Sequence, residues 1–129
     1  MLKQHNPATV PPAFSRYSQA VEAPQGYRWL YLSGQVGVGA DGKLGSGFSG
    51  QAEIAWRNIL ALLEAAGMGV EDLVKINLYL TRASDLGVCR EMRDRFMGEK
   101  RAASTLVVVV ALADPELLIE IEAIAAKAP

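Results

Sequence analysis

Two apolar stretches near the C-terminal end restrict the fold more than any other part of the chain. The first is Leu106-Val107-Val108-Val109-Val110, entered through Ala103-Ser104-Thr105, and the second is Leu117-Leu118-Ile119-Glu120-Ile121-Glu122-Ala123-Ile124. Both read as strands. A β-branched run without a polar face is expected where both faces of a strand are covered. The second stretch alternates instead, so residues 119, 121 and 123 share one side, and 118, 120, 122 and 124 share the other. Glu120 and Glu122 therefore point the same way out of apolar surroundings, where a carboxylate either meets solvent or has a partner or a task.

The preceding chain supplies the elements these strands must pack with. Pro7, Pro11 and Pro12 make residues 1–13 an extended lead-in, with order beginning near Phe14. A loop from Ser15 enters a short strand toward Glu22, Pro24-Gln25-Gly26 reads as a turn, and Arg28 to Val36 is rich in strand formers, so a hairpin is expected here. Residues 51–66 carry the clearest helical pattern. Ala52, Ala55, Trp56, Ile59, Leu60, Leu63 and Ala66 recur at three- and four-residue steps, and Gly67 follows as a C-cap. Val74 to Leu80 alternates with its even positions apolar, which predicts a strand with one core face. A weaker helix starts at Ser84 or Asp85, with Leu86, Cys89, Met92, Arg93 and Phe96 as an incomplete apolar stripe before Gly98.

Gly37-Val38-Gly39-Ala40-Asp41-Gly42 satisfies a dinucleotide-binding pattern, and Gly37 through Lys43 lacks only the final hydroxyl of a phosphate loop. Neither context fits. The fingerprint must open a helix, and the segment from Gly42 to Gly50 is too glycine-rich to be one; the residue after Lys43 is Leu44, which cannot hold magnesium. Asp41-Gly42 is read as a hairpin turn. Cys89, the only cysteine, cannot form an internal disulfide and is expected to pack as a small hydrophobe. Arg82, Arg90, Arg93, Arg95, Lys100 and Arg101 are interspersed with Asp85, Glu91, Asp94 and Glu99, the pattern of a solvated mixed-charge face.

This order of elements predicts one α+β domain over residues 1–129, with a mostly antiparallel sheet and two helices on one of its faces. The other face would then expose a wide apolar patch, so an oligomer whose sheets pack together is expected. A net charge of −1 gives no footprint for general nucleic-acid binding. With no signal-peptide core at the start and no long uncharged apolar window, a cytoplasmic protein without membrane contact is expected.

Several segments together carry a family resemblance: Phe14 to Val21, Leu32-Ser33-Gly34-Gln35-Val36, Asn58-Ile59-Leu60 through Gly67, Asp72-Leu73-Val74-Lys75, and Ile119 to Ala125. In order and spacing the chain resembles the RidA family, also called YjgF or L-PSP. The resemblance implies a chorismate-mutase-like fold and a homotrimer with sheets facing the centre and clefts between subunits. Well-studied members hydrolyse reactive enamines and imines to 2-keto acids and ammonia without metal or cofactor. Carried over position by position, Glu120 matches the carboxylate credited with handling water. Tyr17, Ser33 and Gly34 match cleft positions, and Thr105 stands where many members have cysteine or threonine. Ala103 departs from the pattern, because deaminase members carry there an arginine that grips the substrate carboxylate, a bidentate contact alanine cannot imitate. Arg90 and Arg101 are the candidate substitutes.

Three functions follow as alternatives: a deaminase-like hydrolase of a small imine, enamine or carbonyl compound; a non-catalytic module binding a small neutral ligand; and the ribonuclease or translation inhibitor suggested by the L-PSP name. The last is disfavoured, because His5 is the only histidine and no acid and base pair for RNA cleavage is evident.

Overall fold

The alternating stretch near the C-terminus forms the middle of the sheet. In a computed structural model, which describes residues 1–129, the chain runs β1 (Lys3–His5), β2 (Ala20–Glu22), β3 (Arg28–Val36), α1 (Gly47–Ala65), β4 (Leu73–Leu80), α2 (Leu86–Met97), β5 (Ala103–Val108) and β6 (Ile119–Lys127). Single 3-10 turns at Val70–Asp72 and Ala83–Asp85 lead into β4 and α2. The main sheet has the order β3-β6-β4-β5. Strand β6 is antiparallel to both its neighbours, and β5 is parallel to β4, with α2 making the crossover between them.

One face of this sheet carries the core. Ile119, Ile121, Ala123 and Ala125 of β6, Ile76, Leu78 and Leu80 of β4, and Leu32 of β3 pack with Ala52, Ala55, Trp56, Ile59 and Leu63 of α1. Trp56 stacks on Phe96 of α2 with ring centroids 5.7 Å apart, which joins the helices over the sheet. The α+β class, the mostly antiparallel sheet and the helices on one side agree with the sequence pattern.

Local differences have identifiable causes. The expected hairpin between β2 and β3 does not form: β2 pairs with β1, making a two-stranded ribbon out of the lead-in, while β3 pairs with β6. Order thus begins at Lys3 rather than near Phe14, because β2 supplies the missing partner for an otherwise isolated extended segment. Helix α1 starts at Gly47, so the glycine-rich stretch does enter a helix. The pattern of glycines ahead of it is nevertheless a hairpin, with Val38 bridging Leu44 and Gly42 at φ +79°, the conformation that an Asp-Gly turn requires.

The larger correction concerns β5. It lies at the sheet edge, not between covered faces, and it is separated from β6 by β4. Val107, Val108 and Val110 are exposed, and Val110 wholly so. The expected mixed-charge face also needs amending, because Arg93 is buried, with only 3% of its side chain exposed.

Candidate functional site

Because side chains alternate across a strand, the face opposite the helices presents three cross-strand rows. Glu120 lies beside Tyr79, which lies beside Val107; Glu122, Asn77 and Thr105 form the next row; Ile124, Lys75 and Ala103 form the third. Tyr31 pairs with Ile124 from β3 and is 73% exposed.

The two carboxylates of β6 have different surroundings. Glu122 Oε1 accepts hydrogen bonds from Asn77 Nδ2 at 3.0 Å and Tyr79 Oη at 2.6 Å. That bond holds the Tyr79 proton and pushes the phenol above its usual range, with burial and the charges of Glu122 and Glu120 adding to the shift. Glu120 instead rests against Gly34. A Cβ at position 34 would lie 1.8 Å from Glu120 Oε2, so only glycine leaves room for the carboxylate in its present position. The pairing register of β3 with β6 shifts between Leu32 and Gln35, a bulge that includes Gly34 and the exposed Ser33. Gln51 fixes the approach to β6 by donating from Nε2 to Glu116 O at 3.0 Å and accepting from Leu118 N at 2.9 Å.

Thr105 Oγ1 accepts from Lys75 Nζ at 2.7 Å, and burial lowers the pKa of that amine. Lys75 is also the register partner of Ala103.

A second group of candidate residues lies across β5. Phe14, Ser15, Tyr17, Arg90, Arg93, Ser104 and Leu106 line a groove of about 120 Å3 between α2, β5 and the 14–17 segment. Ser104 and Leu106 pair with Ile76 and Leu78, so they belong to the helix-side face of the sheet. Arg93 donates to Asp94 Oδ1 from Nε at 3.2 Å and from Nη2 at 3.1 Å, and Nη2 also reaches Ser15 Oγ at 3.2 Å. Ser104 Oγ is buried with no protein hydrogen-bond partner. Leaving such a hydroxyl unpaired costs about 1–3 kcal/mol. Tyr17 Oη accepts only a long bond from Phe14 N, at 3.4 Å.

The predicted site residues therefore divide. Glu120, Ser33, Gly34 and Thr105 belong to the open sheet face, whereas Tyr17 and Arg90 belong to the groove behind β5. Arg101 lines neither; its Nη1 donates to Gly98 O at 2.8 Å and Lys100 O at 3.2 Å in the connection from α2 to β5. Sequence reasoning did not single out Arg93 or Ser104 as site residues. A signal for Arg93 was present, because it is the one charged residue within the apolar stripe of α2.

Comparison with known proteins places this architecture. The family model described as endoribonuclease L-PSP matches residues 8–127. A RutC family protein of Pyrococcus horikoshii is 36% identical over 121 residues, covering 91% of each chain. The 2-iminobutanoate/2-iminopropanoate deaminase of Mus musculus is 34% identical over 121 residues, covering 92% of this chain and 87% of its own. Among solved structures, a Rid-family protein of unknown function from Yersinia pestis superimposes with a TM-score of 0.86 at 33% identity over 98% of both chains.

Proposed function

The chain belongs to the endoribonuclease L-PSP family, the RidA family of the sequence reading, and from that premise we propose that it is a deaminase-type hydrolase of a small imine or enamine. The observation that carries the proposal is Glu120: its carboxylate has no hydrogen-bond donor from its own chain and is seated on Gly34 beside the exposed Ser33.

In the proposed reaction Glu120 takes a proton from water as the water oxygen bonds to the imine carbon. The C=N electron pair moves to nitrogen, which acquires a proton. Collapse of the resulting carbinolamine breaks the C–N bond and leaves a carbonyl compound and ammonia. Ser33 and Tyr17 orient the substrate, and Thr105 contributes to the cleft wall. Strands β6 and β5 lie two strand spacings apart, so Glu120 is roughly 10 Å from the β5 edge on the same face. Tyr17 and Arg90 are on the far side of that edge. A site using both groups draws them from different copies of the chain, and the exposed Trp29, Tyr31 and Val107 support a homotrimer with the open faces inward.

The test is ammonia release from 2-iminobutanoate generated in solution. The wild-type chain should accelerate release over buffer, and Glu120→Gln should lower the rate about 10²- to 10⁴-fold, the usual contribution of a positioned acid or base. A wild-type rate equal to buffer would eliminate this reaction. Ala103 favours a second reading, a binding module for a neutral metabolite. In that case a neutral carbonyl compound should raise the melting temperature, and Ser33→Ala should remove the effect. Ribonuclease action is not part of the proposal, since the only histidine, His5 on β1, is bonded to Glu22 Oε2 at 2.8 Å and does not line the groove.

A further inference from the structure

We infer that the groove between α2 and β5 is an anion site in which Arg93, Arg90 and Ser104 bind a small carboxylate, supplying from α2 the cation that position 103 does not provide. The choice of a carboxylate rests on the hydrolase reading above; the anion site itself rests on the groove alone.

Arg93 is the anchor. It is almost wholly buried, its Nε and Nη2 are held by Asp94 and Ser15, and Nη1 makes no hydrogen bond within the chain. A guanidinium fixed along one edge with its other end free is already oriented for an anion, so little side-chain freedom is lost on binding. Asp94 does not neutralise the groove, because Arg16 also approaches that carboxylate, at 4.0 Å, and Arg90 has no acidic partner within salt-bridge distance. Two arginines, Arg16 and Arg93, thus share one carboxylate, and Arg90 adds a third positive charge with no acidic partner.

Ser104 is the second, independent feature. Its buried hydroxyl lines the same groove as the arginines and has no partner in the chain, yet it can donate one hydrogen bond to a bound oxygen. Tyr17, which lines the same groove, carries another hydroxyl. Phe14 and Leu106 make the rest of the wall apolar, which suits a short carbon chain attached to the charged group. At about 120 Å3 the space suits a short 2-keto acid and is too small for a nucleotide.

The test compares 2-oxobutanoate with 2-butanone, which has the same carbon skeleton without the carboxylate, by titration calorimetry on the intact protein. Wild-type protein should bind 2-oxobutanoate and not butanone. Arg90→Gln and Ser104→Ala should each weaken binding at least tenfold, and Arg93→Gln should abolish it. Arg93→Gln alters a buried ion pair and can fail for reasons of folding, so the exposed Arg90 and the unpartnered Ser104 carry the test. In particular, Ser104→Ala should melt no lower than wild type while losing affinity, a combination that a purely structural serine would not give. Equal affinity for 2-oxobutanoate in wild type, Arg90→Gln and Ser104→Ala would overturn the site, as would undetectable binding to wild type. The two proposals fail separately. Arginine-dependent binding without ammonia release removes the hydrolase and keeps the site; ammonia release unchanged in both variants does the reverse.

Discussion

A methyl group at Gly34 would collide with the Glu120 carboxylate at 1.8 Å, and the atom it meets is the end of a flexible side chain rather than backbone. Gly34→Ala should therefore leave the fold intact, at a cost within about 1 kcal/mol, because Glu120 can swing aside. If Glu120 handles the water, ammonia release should fall at least tenfold in that variant, with the urea midpoint nearly unchanged. Cys89 offers a different single-residue test. Burial pushes its thiol up to about 11, against the opposing pull of Arg93 and Arg90. Because the folded-state pKa is raised from 9.0, the unfolded chain loses its proton first as pH rises. The contribution of the buried neutral thiol is thus complete below about pH 9 and is lost as pH climbs through 11. Melting temperatures from pH 8 to 11 should fall more steeply for wild type than for Cys89→Ala. Burial lowers the pKa of Lys75 and Lys100 and so acts in the opposite direction, but both amines are common to the two proteins and leave the difference in slopes to Cys89.

At the level of elements, the position of β6 depends on a side chain remote from the site. Gln51 is buried in the first turns of α1 and satisfies Glu116 O and Leu118 N just before β6 begins. Gln51→Ala leaves these two groups without that partner, at about 1–3 kcal/mol for a buried group. A total loss of about 2–4 kcal/mol is expected on that basis, measured by urea unfolding, with reduced ammonia release because Glu120 lies two residues beyond the contact. In the sequence Gln51 is only the first residue of the apolar helix pattern. Its role follows from where the chain returns, sixty-seven positions later in the bond to Leu118, and no local periodicity contains that information.

For the whole molecule the open face of the sheet is the deciding feature. Trp29 and Tyr31 of β3 and Val107 of β5 are all exposed on it, around a centre of polar and charged groups from β4 and β6. If three copies close over this face, sedimentation should give three times the chain mass, and Tyr31→Asp combined with Val107→Asp should yield monomers. Those monomers should also lose ammonia release, because Glu120 would no longer meet the groove of a neighbouring copy. A monomeric wild-type protein, or a monomeric variant with full activity, would contradict the shared cleft.

The alternation from Ile119 to Ile124, the periodicity of α1 and the strand pattern of β4 were legible because each follows from the local geometry of one element. They were enough to establish the α+β class, to set Glu120 and Glu122 on one face, and to carry the family resemblance. Tertiary structure alone decided which strands became neighbours. It placed β6 between β3 and β4 and moved the valine run of β5 to an edge. It also separated the two carboxylates in role: Glu122 is bonded by Asn77 and Tyr79, while Glu120 rests on Gly34. The same holds for the groove. Ala103 could be read as a missing cation, but Arg93 and Ser104 meet only because the crossover through α2 brings a helix face against the edge strand, a relation between residues distant in sequence that depends on packing.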